Sequence, residues 1–152
     1  MKKLLSSILL LCTVFFCSCE ATNIFDKALN QMESVCAALG GDISVYTNED
    51  PAISSTITSL YGMADIPPDE LSLVDFGIVW YNRSLSGGDG AIFYVTNLAD
   101  TASVEKMCRR RQKTAKRTAG IDMTVFTSGH YVCLYTDGLT PLENAIRNIV
   151  CK

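Results

Sequence analysis

The chain has 152 residues, 48% of them hydrophobic and 19% charged, with a formal net charge of −3. That balance excludes an intrinsically disordered chain, and the length allows about one domain with a core that stands without staples. An acidic total also argues against nucleic acid as a partner.

Met1-Lys2-Lys3 makes a positive start, and Leu4 to Phe16 follows as thirteen residues without a charge. A spanning helix needs about twenty apolar residues. Thirteen is too few, and a positive start before a brief apolar stretch is the pattern of a secretory signal peptide. The stretch ends in Phe16-Cys17-Ser18-Cys19. The small Ser18 directly before Cys19 resembles the lipobox of bacterial lipoproteins, whose cysteine thiol receives a diacylglycerol before the leader is cut off ahead of it. Phe16 and Cys17 stand where the commonest lipobox carries leucine and alanine or serine. Residues 1–18 are therefore expected to be a lipoprotein signal peptide, residues 19–23 the lipidated Cys19 with a short tether, and residues 24–152 a single globular domain. Ordinary cleavage near Ala21, giving a secreted product, is the alternative. Losing Lys2 and Lys3 moves the net charge from −3 to −5.

Asn23 is placed to cap a helix in which Ile24, Phe25, Ala28, Leu29, Met32, Val35, Cys36 and Leu39 recur at helical spacing up to Gly40-Gly41. A short β-prone piece follows at Ile43, Val45 and Tyr46. Pro51 is expected to open a second short helix that stops at Gly62. Met63 to Glu70, with Pro67-Pro68, reads as a connector. Leu73 to Tyr81 reads as a strand with Val74, Phe76, Ile78 and Trp80 on one face. Arg83 to Gly90 reads as a flexible loop, and Ala91 to Thr96 as the returning strand. Asn97 or Asp100 caps a long helix from Thr101 to about Ala119. Met123 to Thr127 and Tyr131 to Thr136 form a second hairpin around Ser128-Gly129-His130. Thr140-Pro141 opens a last helix with Leu142, Ala145, Ile146 and Ile149 in one stripe. The expected fold is α+β, a two-layer sandwich. Its antiparallel sheet is built from two hairpins (β-β-α-β-β-α) with helices on one face, preceded by an N-terminal helix.

These segments carry a resemblance. Ser59-Leu60-Tyr61-Gly62 precedes an acidic, proline-containing turn, then Phe76-Gly77-Ile78-Val79-Trp80-Tyr81 and Ala91-Ile92-Phe93-Tyr94-Val95. A charged helix follows, then Ser128-Gly129-His130-Tyr131-Val132-Cys133-Leu134-Tyr135 before the final helix. The series resembles a family of small extracytoplasmic lipoproteins of Gram-positive, clostridia-like bacteria, catalogued as a domain of unknown function. The resemblance spans about residues 24 to 151 and implies a cell-envelope lipoprotein. It lends no activity. This chain departs from the family in its domain cysteines and its shorter tether.

Seven of the eleven basic residues after the leader lie between Lys106 and Arg117. Lys106, Arg109, Arg110, Arg111, Lys113, Lys116 and Arg117 are candidates for binding an anionic surface, either lipid headgroups or a phosphate-rich wall polymer. A solvated helix face is the plainer reading. An acidic remainder and a helix without interleaved aromatics set nucleic acid aside. His130, the single histidine, sits three residues from Cys133 on a predicted strand, which places the two on opposite faces. No G-x-S-x-G elbow occurs. Gly87-Gly88-Asp89-Gly90 lacks the Lys-Ser/Thr of a phosphate-binding loop and reads as a hairpin tip. Asp65, Asp69, Glu70 and Asp75 surround Pro67-Pro68 and read as a solvated turn. Cys36, Cys108, Cys133 and Cys151 match no zinc spacing, and sequence leaves free thiols and one disulfide both open. The resulting expectation is a non-enzymatic envelope lipoprotein with no catalytic residues, metal or cofactor, acting by binding or interaction. A small extracytoplasmic hydrolase with an unrecognised site, or a soluble secreted binding module, is the alternative.

Overall fold

The computed structural model describes residues 24–49, 53–84 and 88–151. The leader, Cys19, Pro51 and Gly87 lie outside the described residues. Helix α1 covers 24–39, followed by β1 Asp42–Thr47, α2 Ser55–Tyr61 and a 3-10 turn at Asp69–Leu73. Strands β2 Phe76–Tyr81 and β3 Asp89–Tyr94 come next. A second 3-10 turn, Leu98–Asp100, leads into α3 Thr101–Ala119, and β4 Met123–Ser128, β5 Tyr131–Thr136 and α4 Thr140–Val150 complete the chain. The class is α+β. One five-stranded sheet runs in the order β1-β2-β3-β5-β4, with every neighbouring pair antiparallel. Helix α3 carries the chain past β5 to the far edge, so β4 lies beyond β5 from β3.

The helices do not share one face. Val79, Ala91, Phe93, Val132 and Leu134 pack with Ile57 and Tyr61 of α2 and with Val104, Met107, Cys108 and Ala115 of α3. Ile78, Trp80, Ile92, Cys133 and Tyr135 pack on the other side with Ala28, Met32 and Val35 of α1 and the stripe of α4. The sandwich therefore has three layers, not two. The reason lies in β2, β3 and β5, which are buried at five of six positions each. An apolar residue at almost every position, instead of every second one, marks a strand covered on both sides.

The sheet also exceeds two hairpins, because β1 pairs with β2 along its whole length from Asp42↔Tyr81 to Thr47↔Phe76. The expected loop through Gly90 is shorter as well. Asp89 and Gly90 already belong to β3, opposite Tyr81 and Trp80.

Local chemistry sets the boundaries. Ser54 caps α2, which starts at Ser55, its Oγ accepting from the Ile57 N–H at 3.2 Å. Asn97 Oδ1 accepts from the Ala99 N–H at 3.2 Å, while Asp100 makes no side-chain cap bond. Gly120 ends α3 in the left-handed conformation at φ +70, where a side chain would be strained. Gly41 closes the turn from α1 into β1 at φ +106, and a Cβ there would lie 2.5 Å from the Tyr81 carbonyl oxygen. Beside it, Trp80 Nε1 donates to the Gly40 carbonyl at 2.9 Å.

Adjacent residues on β3 test the double burial. Ile92 faces α4 and Phe93 faces α3, both with no exposure. Ile92→Ala is expected to cost about 2–5 kcal/mol and Phe93→Ala about 3–5 kcal/mol in urea unfolding. A sheet with one solvated face would spare one of them.

Candidate functional site

Helix α3 presents three kinds of surface. Val104, Met107, Cys108 and Ala115 form its buried stripe, and Arg111 falls at helical spacing within that same stripe. Its side chain is 18% exposed. An arginine held there needs an anion, and β3 supplies one. Asp89 is in phase with Ala91 and Phe93, so it points toward α3, and it is 2% exposed. Arg111 Nε donates to Asp89 Oδ2 at 2.6 Å, and Nη2 reaches the same oxygen. Oδ1 is buried without a hydrogen-bond partner among the described residues. The Asp89 backbone is fixed by Thr136, whose Oγ1 accepts from the Asp89 N–H at 2.9 Å and donates to its carbonyl at 3.1 Å.

A cavity of about 170 Å³ opens at this end of the sheet, where β2 ends and β3 begins beneath α3. Asp89, Arg111, Tyr81, Asn82 and Thr136 give its polar wall, and Leu60, Ala115, Ile121 and Met123 its apolar wall. Burial raises the Asp89 pKa despite the opposing pull of Arg111. Burial also raises the Tyr61 pKa, with further upward pushes from Asp89 and Cys108. The Tyr61 hydroxyl is the other buried polar side-chain atom without a partner among the described residues.

The seven basic residues are divided by their surroundings. Arg109 pairs with Glu105 one turn back, its Nε donating at 2.7 Å. Arg110 grips Glu70 with both terminal nitrogens at 2.8 Å. That hydrogen bond lowers the Glu70 pKa and raises that of Arg110. Lys116 pairs with Asp122 at 2.7 Å, and Arg111 is the cation beside Asp89. Lys106, Lys113 and Arg117 make no ion pair among the described residues. Spaced by seven and four positions, they align in one row opposite the buried stripe, about 16 Å long at 1.5 Å per residue.

The remaining candidates are scattered. His130 Nδ1 lies 2.9 Å from the Val95 carbonyl oxygen and its ring packs near Tyr94. It does not line the cavity beneath α3. Cys36, Cys108, Cys133 and Cys151 are free thiols. Cys108 and Cys133 are fully buried, and burial lifts both thiol pKa values, which makes them poor nucleophiles. Glu70 meets Arg110, and Asp75 accepts from the Asn48 side chain and the Thr96 N–H, so the acidic turn is partly engaged. Among the described residues no three His, Cys, Asp or Glu side chains gather as a metal site, and no helix is long and apolar enough to cross a membrane. Sequence reasoning counted Arg111 among the surface cations and Asp89 as part of a hairpin tip, and missed that the two pair under α3. The signals were an arginine in phase with an apolar stripe, and an aspartate in phase with Ala91 and Phe93.

No family model, curated protein or solved structure matches the chain.

Because burial holds the folded pKa of Asp89 above its unfolded value, the ionised carboxylate costs stability above the folded pKa. That cost disappears as pH falls below the unfolded pKa. Arg111→Met removes the group that opposes this. Carboxyl ¹³C titration should then show the Asp89 pKa moving further up. Stability at neutral pH should fall by about 3–5 kcal/mol, with the deficit shrinking in acid.

Proposed function

We propose that the chain is a lipid-anchored protein of the cell envelope whose domain works by binding, without catalysis, at the outer surface of the membrane. The observation that carries this reading is the leader: a positive start, a short apolar run and Ser18-Cys19. Two acyl chains on Cys19 give stable anchoring where one gives marginal binding. The described part of helix α1 starts at residue 24, five residues after that cysteine. So short a tether keeps the domain against the headgroups. The sequence resemblance to small extracytoplasmic lipoproteins points the same way. Inert buried thiols and a histidine beside a backbone carbonyl favour binding over hydrolysis.

The row Lys106, Lys113 and Arg117 supplies the contact with an anionic surface. Each cation near such a membrane contributes about 1 kcal/mol. Arg109, Arg110, Arg111 and Lys116 contribute less, because carboxylates already balance them.

Two measurements test this reading. Metabolic labelling with a fatty acid should mark the parent chain and leave Cys19→Ala unlabelled and released from the membrane fraction. Equal labelling of both removes the anchor. The unlipidated Cys19→Ala chain should bind only weakly, and only at low salt, to vesicles rich in phosphatidylglycerol, too weakly to stay with the membrane fraction. Adding Lys106→Ala, Lys113→Ala and Arg117→Ala should weaken that binding by about a hundredfold, from about 1 kcal/mol per cation.

A further inference from the structure

The end of the sheet where α1 starts is also its aromatic end. Phe25, in the first turn of α1, packs edge-on against Phe76 at 5.4 Å. Phe76 stacks on Tyr94 at 5.2 Å, and Tyr94 meets Tyr131 at 5.2 Å and His130 at 5.6 Å. Phe76 is buried, but Phe25, Tyr94, His130 and Tyr131 are each partly exposed. β3 ends here, and four residues beyond Tyr94 stands Leu98, 54% exposed. Ser128 Oγ donates to the Val150 carbonyl at 3.0 Å, which brings the end of α4 to the same place. The other end of α1 lies at the far end of β2, where the Gly40 carbonyl accepts from Trp80.

We propose that this aromatic end is the face of the domain that meets the membrane, with Leu98, Phe25, Tyr94 and Tyr131 set at the boundary between headgroups and acyl chains. The assignment rests on the lipid proposed for Cys19. Ile24 is five residues from that cysteine, so the chain between them reaches at most about 18 Å at ~3.6 Å per residue. Standing on the opposite end would lift Ile24 by the length of α1, about 24 Å at 1.5 Å per residue, which exceeds that reach. Aromatic rings that carry a polar group favour the boundary between lipid and water. Charge does not hold this end down, since Asp26, Asp75 and Asp100 stand there against Lys27. The contact is apolar and indifferent to salt. α3 also starts at this end, so Lys106 is the nearest cation of the outer row, and that row inclines the domain toward α3.

The test uses the full lipidated chain in phosphatidylcholine nanodiscs with a nitroxide on the headgroup. Amide ¹H–¹⁵N spectra read the orientation, and the mass of the N-terminal peptide reports the lipid. Amides of Leu98, Gly129 and Tyr131 should broaden at least about tenfold more than those of Gly41, Asp137 and Gly138, because the two ends of the sheet lie roughly 17–20 Å apart. Raising the salt should leave that pattern unchanged. Leu98→Asp changes an exposed position, and should cut the broadening at Gly129 and Tyr131 at least about threefold, from the lost burial of one leucine. Lipid on Cys19 with even broadening, or with broadening strongest at Gly41 and Asp137, would overturn the assignment and leave the anchor standing. So would a folded, lipidated Leu98→Asp chain that broadens like the parent. A chain without lipid would remove the anchor and the assignment together.

Discussion

Burial of the central strands on both faces is the constraint from which the rest of this structure follows. Strands β2, β3 and β5 expose almost nothing on either side. Apolar area removed from water is the main favourable term in folding, at about 25 cal/mol per Å². A sheet of this composition therefore requires a helical cover twice over. Helices α1 and α4 close one side, and α2 and α3 close the other. The edge strands differ: β4 is only partly buried, and β1 buries Tyr46 alone. That gradient fits strands with one neighbour in place of two.

Double cover creates a problem at the sheet's ends, where polar backbone and turn residues come under helices. Asp89 is placed there by its phase in β3, and Arg111 by its phase in α3. Neither is stable alone in such surroundings, since a buried unpaired charge costs several kcal/mol. Their pairing resolves most of that cost but not all of it. The guanidinium spends two donors on one carboxylate oxygen, so the other oxygen stays unsatisfied, and the raised pKa of Asp89 records the remaining desolvation. Native structures leave few such groups. Its position at a cavity with an apolar back wall makes this end of the sheet chemically distinct from the rest.

The sequence made the α+β class readable because the apolar periods are clear: 3.6 residues in Leu142, Ala145, Ile146 and Ile149, and paired strands around Gly129. The layer count was not readable from the period chosen. Taking Val74, Phe76, Ile78 and Trp80 as one buried face treats Val79 as solvent-facing, yet Val79 is wholly buried. The run Phe76-Gly77-Ile78-Val79-Trp80 has no polar residue and carries the correct answer. β1 was visible as a β-prone piece, but its partners lie 29 to 39 positions further along the chain. The same distance problem hid the ion pairs. Glu70 and Arg110 are 40 positions apart and Asp89 and Arg111 are 22 apart. Composition counts such charges, and only topology says which of them meet.

The basic helix shows why that distinction bears on function. Seven cations between Lys106 and Arg117 look like one electrostatic unit, and their sum would attract any anionic surface. In the fold four of them face a carboxylate, and one of those four is largely buried. The attraction that reaches solvent comes from a row of three, which is modest, salt-sensitive and directional. A free protein would bind only weakly through so small a patch, because three contributions of about 1 kcal/mol fall short of the roughly 4–15 kcal/mol that immobilising it costs. A chain already held at the surface by lipid has no such cost to meet again. The second contact then becomes an intramolecular one at high effective concentration. On the anchoring we propose, the row would orient the domain once it is held, setting which side of the sheet faces the headgroups.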